Sequence, residues 1–391
     1  MQKVALVGTF YPEPGAGTFL TGLAYILAKR VRSDGVVVFA QSEGRIPESW
    51  NSEKTTIHRC WSRSNPWSLM ASFFALGRYT SKSDVLIFSL HLREFGESAL
   101  GNALGLLLPV LASLYRRKPA VVYMHHFLET QESGDLGYEV SALDRLAVRA
   151  IEQLLLRFTH VVMPMASQSL TVETEFRTRP MSLFIPYLEA VGLQSMGDNK
   201  YVTRPPEDET AARILLLGTW GPQKDLEGVL ASLSMAARSG AKFTVSISET
   251  TNLHFPVYRD RLRQSFSASQ EGMYSLLGLV NDEDLLNVVS SHDLLILPYN
   301  ATGGYSGSMV VGAYTGIEII AYDLPQLRET ARYLDINPVY IAKGDRRALA
   351  ESIVTFCNRV SEFRRRRAGT PRPPRDSDAM RAIEQLLSLA R

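Results

Sequence analysis

Short apolar runs alternate along the chain with longer stretches in which apolar residues recur at helical spacing. An apolar run bounded by Gly, Pro or polar residues is typical of a buried strand, and a period near 3.6 is typical of a helix. In the first half, strands are predicted at 3–8, 35–40, 56–61, 84–89, 119–124, 160–164 and 182–186. Helices are predicted at 18–31, 67–79, 99–115 and 140–158. Strands that alternate with helices in this way indicate a parallel sheet with helices on both faces.

A polar, proline-containing stretch at 197–212 (GDNKYVTRPPEDETAA) interrupts this pattern and is typical of a linker between domains. The pattern then restarts, with strands predicted at 213–218, 243–248, 274–277, 294–297, 316–322 and 339–342. Helices are predicted at 225–239, 257–266, 282–291, 308–315, 345–363 and 376–391. We therefore predict an α/β fold of two Rossmann-like doubly wound parallel-sheet domains that face each other across a cleft. The domains are residues 1–195 and 196–375, followed by a C-terminal helix at 376–391.

Length and charge limit the kinds of function to consider. The 391 residues suffice for two domains with full cores, and a net charge of +2 gives no electrostatic reason to expect nucleic-acid binding. Cys60 and Cys357 lie too far apart for a metal or redox motif, which favours a reducing compartment. The N-terminus enters a strand pattern at once, unlike a signal peptide. We expect a cytoplasmic protein, either free or peripheral on the cytoplasmic face of a membrane.

The stretch 298–309 (PYNATGGYSGSM) is the first candidate for chemistry, because it joins a predicted strand to a predicted helix. A glycine-rich loop before a helix presents backbone N–H groups to an anion, and its serines add hydroxyl donors. The candidate ligand-binding residues of this stretch are Thr302, Gly304, Tyr305, Ser306, Gly307 and Ser308. An ordinary turn with a serine N-cap is the alternative interpretation.

The first half places other candidates at the ends of strands and the start of a helix. Gly15 and Gly17 precede or open the first helix, where a phosphate or an acceptor could approach closely; a plain tight turn is the alternative. His91, His125 and His126 follow predicted strands, and a hydrogen-bonded structural histidine is the alternative for each. The acidic residues at 129–139 are candidates for a general base or, alternatively, a solvated loop.

Four segments of the second half, in this order, resemble the nucleotide-binding domain of GT-B glycosyltransferases and of the GT4 family among them. The segments are LLGTWGPQKD at 216–225, LGLV with EDL at 277–285, SHDLLILP at 291–298, and GIEIIAYD with LRE at 316–329. The resemblance implies transfer of a sugar from a nucleotide-diphosphate donor to a glycan, lipid-linked or small-molecule acceptor, with retention and without a metal or a further cofactor. It also implies that the last helix packs back on the first domain.

The resemblance assigns roles to individual residues. It implies that Thr219, Lys224, Leu279 and Val280 contact the donor, together with the loop at 302–308. It implies that His125 and Lys224 take part in catalysis, and that Gly15 and Gly17 approach the phosphates or the acceptor.

The sequence departs from the family pattern at three positions. Gly303 and Val311 occupy the places of two glutamates, one of which contacts the donor sugar and the other the ribose, and Thr219 replaces an arginine. These departures keep two alternatives open: a nucleotide- or glycan-binding subunit without transfer activity, and a nucleotide-sugar epimerase. An apolar helix at 104–114 followed by the basic residues 116–118 also leaves two interpretations, a buried core helix or a peripheral membrane contact.

Overall fold

The structure is a computed structural model that describes residues 3–10, 16–30, 35–43, 55–81, 84–91, 95, 98–127, 141–185, 210–249, 260, 273–280, 282–368 and 376–389. Contacts between residues divide the chain into two compact units. The first contains the described residues up to 185 together with the last helix, and the second contains those from 210 to 368. The predicted boundary at 195–196 lies outside the described residues.

A parallel sheet lies at the centre of the first unit. Its strands are β1 (Val4–Val7), β2 (Val36–Gln41), β3 (Thr55–Trp61), β4 (Val85–Leu90), β5 (Val121–Met124), β6 (His160–Met163) and β7 (Met181–Ser182). The strand order is β3-β2-β1-β4-β5-β6-β7, with parallel pairing throughout. The helices are α1 (Ala16–Arg30), α2 (Ser68–Tyr79), α3 (Ala99–Arg116), α4 (Ala142–Phe158), α5 (Ala166–Phe176) and the last helix (Asp376–Leu389).

Apolar side chains cover both faces of this first sheet. Leu27 of α1 and Ile383 of the last helix are buried in one cluster with residues of β1, β2 and β4. Leu106 of α3 and Leu155 of α4 are buried in another cluster with the opposite face of the strands. Because helices cover both faces, each residue of β4 is buried, which explains the uninterrupted apolar runs in the sequence.

The second unit repeats this architecture. Its strands are β8 (Ala212–Leu216), β9 (Phe243–Ile247), β10 (Tyr274–Leu276), β11 (Leu294–Leu297), β12 (Glu318–Tyr322) and β13 (Val339–Ile341), in the parallel order β10-β9-β8-β11-β12-β13. Its helices are α6 (Leu226–Arg238), α7 (Asp282–Ser290), α8 (Gly307–Thr315), α9 (Pro325–Leu334), α10 (Arg346–Asn358) and α11 (Val360–Ala368). The predicted class, two α/β units with parallel sheets, is confirmed.

The structure adds helices that the apolar pattern does not predict. α5 is rich in polar and β-branched residues and has a weak helical apolar period. α9 is amphipathic, but it is short and has few apolar residues, and it begins with a proline at its first turn. The single helix predicted at 345–363 is two helices that meet at Arg359. The helix predicted at 257–266 falls almost entirely outside the described residues.

The basic run at 364–367 is partly buried, unlike most clusters of arginine residues. The Arg364 guanidinium donates to both carboxylate oxygens of Asp293, at 2.9 and 2.6 Å, and both side chains are buried. Arg367 donates to the backbone carbonyl oxygen of Thr315. These contacts hold α11 against the residue before β11 and the last residue of α8, and the ion pair gives the buried carboxylate the charged partner that it requires.

Helix α3 (Ala99–Arg116) extends beyond the apolar stretch at 104–114. By length and composition its 18 residues could cross a membrane. Half of that stretch is buried in the structure, and the core helix of a folded domain passes the same test.

Candidate functional site

Two loops lie side by side at the carboxyl edge of the second sheet. Loop A (217–225) follows β8, and loop B (298–306) follows β11. The amide of Asp225 donates to the carbonyl oxygen of Pro298 at 2.9 Å, so the backbones of the two loops are hydrogen-bonded. The parallel pairing of β8 with β11 brings these strand ends together, and ligands bind at such edges in open α/β sheets.

Lys224 is held in a dry position at the junction of the two loops. Its side chain is buried, with 5% exposure, and Nζ donates to the carbonyl oxygen of Leu217 at 3.0 Å. Nζ also lies 5.2 Å from the centre of the Trp220 ring and 4.9 Å from that of Tyr299. Burial lowers the pKa of the amine, and the neighbouring Tyr299 opposes this shift. Lys224 is therefore not a solvated lysine at a helix start but an amine with a fixed location.

Gly218 makes room for this amine. Its φ is +113°, and a Cβ atom there would overlap Lys224 Nζ and lie 3.4 Å from Ser308 Oγ. The structure therefore brings Lys224 and Ser308, two residues predicted to bind the donor, to the same point above the end of β8. The amide of Gly218 donates to Ser248 Oγ at 3.1 Å, which fixes the start of loop A.

The helix after loop B begins at Gly307, one residue earlier than predicted. Ser306 is its N-cap, because its Oγ accepts a hydrogen bond from the amide of Met309 at 3.2 Å. The same Oγ lies 3.1 Å from the hydroxyl oxygen of Tyr299. By the geometry of an α-helix, the amides of Gly307 and Ser308 have no acceptor within α8 and lie at its positive end. The ordinary N-cap and the anion-binding start are thus compatible features of one element.

The other candidates of loop B shape the loop itself. Thr302 Oγ1 donates to the carbonyl oxygen of Gly304 at 2.8 Å and lies 3.4 Å from the amide nitrogen of Gly304. Tyr305 is half-buried next to the cap residue Ser306. These residues form a compact turn before α8.

The remaining candidates of the second unit are more exposed. Thr219 is exposed in loop A, and its carbonyl oxygen accepts a hydrogen bond from Gln223 Nε2 at 3.1 Å. Leu279, 69% exposed, and the half-buried Val280 follow β10 at the same edge of the sheet. An exposed leucine next to a strand end is suited to stacking on a planar group.

His125 occupies the carboxyl end of β5 in the first unit. The side chain is buried, and its Nε2 lies 3.0 Å from Ser89 Oγ. The His91 ring stacks on His125 with ring centres 3.9 Å apart, and the His126 ring meets His91 edge-on at 5.3 Å. Gln168 Nε2 donates to the carbonyl oxygen of His125 at 3.1 Å. The histidines predicted separately at two strand ends therefore form one cluster.

The other candidates of the first half are two glycines near α1 and a group of acidic residues. Gly17 lies in the first turn of α1, as predicted. Gly15 and the acidic residues at 129–139 lie outside the described residues.

The histidine cluster is uncharged in the folded protein at neutral pH. Burial, with a smaller contribution from His126, lowers the pKa of His125 to about 3. Burial lowers the pKa of His126 to about 4, and burial with both neighbours lowers that of His91. A neutral imidazole donates one hydrogen bond and accepts another, so these rings suit the recognition of hydroxyl groups.

This cluster predicts a loss of stability in mild acid. Histidines of the unfolded chain bind protons below about pH 6.5, whereas His125 and His126 stay neutral in the fold until about pH 3 to 4. The unfolded state therefore binds more protons in this window, and the free energy of unfolding falls as the pH falls below about 6.5. The expected result is a melting temperature that decreases between pH 7 and pH 5.

The His126→Asn variant should show a shallower decrease, because it removes one such group and its effect on two neighbours. The control is His160→Asn at an exposed position, which should keep the wild-type slope. A wild-type melting temperature that is constant over this range would contradict the prediction.

Three residues of the site are not singled out by the sequence. Tyr299 contacts both Lys224 and Ser306, Trp220 lies under the amine with its Nε1 bonded to the carbonyl oxygen of Ser248, and Ser248 fixes Gly218. Their common signal is position, since each lies just after the end of a parallel strand. That rule would have found all three.

Solved structures resemble this chain over nearly its whole length. HepE from Anabaena, in complex with UDP-glucose, has a TM-score of 0.65 and 13% identity, covering 99% of this chain and 100% of that chain. The sucrose-phosphate synthase of Thermosynechococcus elongatus has a TM-score of 0.64 and 14% identity, covering 100% and 99%. WaaG, a glycosyltransferase involved in lipopolysaccharide biosynthesis, has a TM-score of 0.62 and 14% identity, covering 98% and 99%. No protein-family model and no curated protein matches the sequence. The structural likeness, over full-length chains, shows that this protein has the GT-B fold.

Proposed function

We propose that this protein is a glycosyltransferase that moves a sugar from a nucleotide-diphosphate donor to a glycan, lipid-linked or small-molecule acceptor. One observation carries the proposal: Lys224 Nζ and Ser308 Oγ both lie close to the Cβ position of Gly218, beside the half-buried start of α8. A cation, a hydroxyl and helix amides that have no acceptor within α8 lie in one place, which suits the phosphates of such a donor. HepE, a protein of this fold, has been solved with UDP-glucose and with UDP, which supports UDP sugars as the first donors to test.

The reaction would depend on stabilising the leaving group. Breaking the sugar–phosphate bond leaves negative charge on the nucleoside diphosphate, and donors already fixed in place stabilise that charge without reorganisation. Lys224 is such a donor, because Leu217 and two aromatic rings hold its amine in place. A diphosphate beside the buried amine favours its protonated form, which offsets the effect of burial on its pKa. We include retention and independence of metal ions in the proposal, on the strength of the GT4 resemblance.

We propose that His125 contacts the donor sugar rather than the phosphates. Its imidazole is neutral and stands at a strand end, where a hydroxyl group of the donor sugar can be recognised by hydrogen bonding. We propose that the phosphates or the acceptor approach the backbone closely at Gly17, at the start of α1.

A specific observation favours a second candidate function, a nucleotide- or glycan-binding subunit without transfer activity. Val311, at the place of one family glutamate, is buried in α8 with 2% exposure. This position therefore offers no polar group to a ribose. Binding of the phosphates alone would support a ligand-binding role without the positioning that transfer requires.

Two measurements together test the proposal. A thermal-shift panel of UDP, GDP, ADP and their sugar derivatives should raise the melting temperature for one base, because a ligand of the native state stabilises it. Release of the nucleoside diphosphate from the matching sugar donor should then increase when glycan or lipid-linked acceptors are added. Binding without release would favour the non-catalytic subunit, and the absence of any shift would contradict both functions.

Substitutions at the start of α8 test how the phosphates are bound. Gly307→Val should lower UDP affinity strongly, because a β-branched side chain blocks approach to the helix amides. Ser308→Ala should lower it less, because it removes one hydroxyl and keeps the backbone donor. Calorimetry with UDP measures both, and the matched control is Ser361→Ala on the exposed face of α11. The reverse order of effects would show that side-chain hydroxyls, not the backbone, bind the ligand.

A further inference from the structure

The first unit has an exposed apolar face that the proposed function does not use. Seven of the fifteen exposed large apolar side chains among the described residues lie on α2, on α3 or just before α2. Those seven are Trp67, Phe74, Tyr79, Leu100, Leu111, Leu114 and Tyr115. Exposed aromatic residues in such a concentration mark an interaction surface. We call the outward surface of these two helices the α2/α3 face.

The exposed residues form a stripe on each helix. On α2, Trp67, Phe74 and Arg78 follow one another at spacings of seven and four residues, which places them on one side of the helix. On α3, the exposed residues Leu114 and Tyr115 lie three and four positions after Leu111, which places all three on one side of that helix. The apolar residues of α3 therefore form two groups. Leu106 and Leu108 are buried against the sheet, and the exposed stripe of α3 faces outward.

The two helices lie side by side, so their stripes are adjacent. A Cβ atom on Gly101, near the start of α3, would lie 3.6 Å from Cβ of Pro66, just before α2. A Cβ atom on Gly77, near the end of α2, would lie 3.8 Å from the ring of Tyr115, near the end of α3. Like ends are therefore in contact, and the helices run in the same direction.

The charge of the face is of one sign. The sequence has no Asp or Glu between 54 and 83 or between 98 and 128, the segments that contain both helices. Arg78, Arg117 and the half-buried Lys118 provide the positive charge at one end of the face. Trp, Tyr and Leu side chains bordered by basic residues are typical of surfaces that lie in the headgroup region of a bilayer.

We propose that the α2/α3 face binds the surface of a bilayer that contains anionic lipids. Phe74 and Trp67, 69% and 66% exposed, insert at the boundary between headgroups and acyl chains, and Arg78, Arg117 and Lys118 contact the anionic headgroups. A second copy of the chain fits less well, because a symmetric contact would bring like charges together without an acidic residue from either helix. The proposal concerns a surface of the first unit and does not depend on the nucleotide site.

Vesicle flotation of the full chain tests this proposal. Wild-type protein should float with vesicles of phosphatidylcholine and phosphatidylglycerol, more weakly with phosphatidylcholine alone, and less as salt increases. The double variant Trp67→Ser/Phe74→Ser should lower the partition coefficient roughly tenfold or more, from the lost apolar insertion. The double variant Arg78→Gln/Lys118→Gln should lower binding to anionic vesicles roughly tenfold.

The control is Tyr333→Ser on α9, an exposed aromatic residue of the second unit, which should float like wild type. All variants should keep the melting temperature and the UDP affinity of wild type, because these side chains are exposed or half-buried and lie outside the nucleotide site. Folded wild-type protein that binds neither vesicle would overturn the proposal. A dimer in light scattering that Phe74→Ser dissociates, with no vesicle binding, would also overturn it and assign the face to a second copy.

Discussion

Replacing Lys224 with methionine is expected to lower the affinity for UDP by about ten- to a hundredfold. The lost charge-assisted hydrogen bond is worth about 1.5–3 kcal/mol, and each 1.4 kcal/mol corresponds to about tenfold. Methionine keeps an apolar stem between the Trp220 and Tyr299 rings, so the packing of loop A is largely preserved. Calorimetric titration with UDP measures the change.

The variant should also lose some stability, because the Leu217 carbonyl oxygen loses its donor. Lys343→Met is the matched control, since it removes an exposed amine from the same unit. It should bind UDP like wild type. Equal UDP affinity in folded Lys224→Met and in wild type would show that Lys224 is a structural residue and that the diphosphate binds elsewhere.

Gly218→Ala is expected to weaken UDP binding about as much as the loss of the lysine. The new Cβ atom would overlap Lys224 Nζ, and the amine, at the end of a flexible side chain, is the group that moves. The substitution also strains the backbone, because φ at this position is +113°. That strain costs about 1–3 kcal/mol of stability. Thermal unfolding and UDP calorimetry together separate the two effects.

Gly240→Ala is the matched control for Gly218→Ala. Gly240 also has a positive φ, +85°, but a Cβ atom there meets no described atom within 4 Å. It should lower stability and leave UDP affinity unchanged. Because alanine at 218 acts through the amine, the double variant Gly218→Ala/Lys224→Met should bind UDP no worse than Lys224→Met alone. Additive losses would show that Gly218 contacts the ligand independently.

The fold was predictable because burial on both sides of a parallel sheet imposes a pattern on each strand separately. β4 and β11 are buried at each position, so their apolar runs are visible without knowledge of their neighbours. Two helices without that constraint were missed. α5 has a weak apolar period, and α9 is amphipathic but has only ten residues, few of them apolar.

The candidate site was predictable in part. Loop B was found because glycines and serines between a strand and a helix are local features of the sequence, and Lys224 was found through the resemblance of the 216–225 segment to the GT-B family. The start of α8 was predicted at residue 308, one residue late, because the sequence has serines at both 306 and 308 that are acceptable at the N-terminus of a helix. Only the contact with Tyr299 and the bond from Met309 distinguish them in the structure.

The sequence alone determined the α/β class and the strands that carry the candidate residues, since each is a property of a short segment. The tertiary structure decided which residues meet. It enclosed Lys224 between two aromatic rings, paired Arg364 with Asp293 and placed the stripes of α2 and α3 side by side. The physical reason is that burial, ion pairing and exposure depend on residues far apart in the chain, whose proximity is fixed by strand order and helix packing.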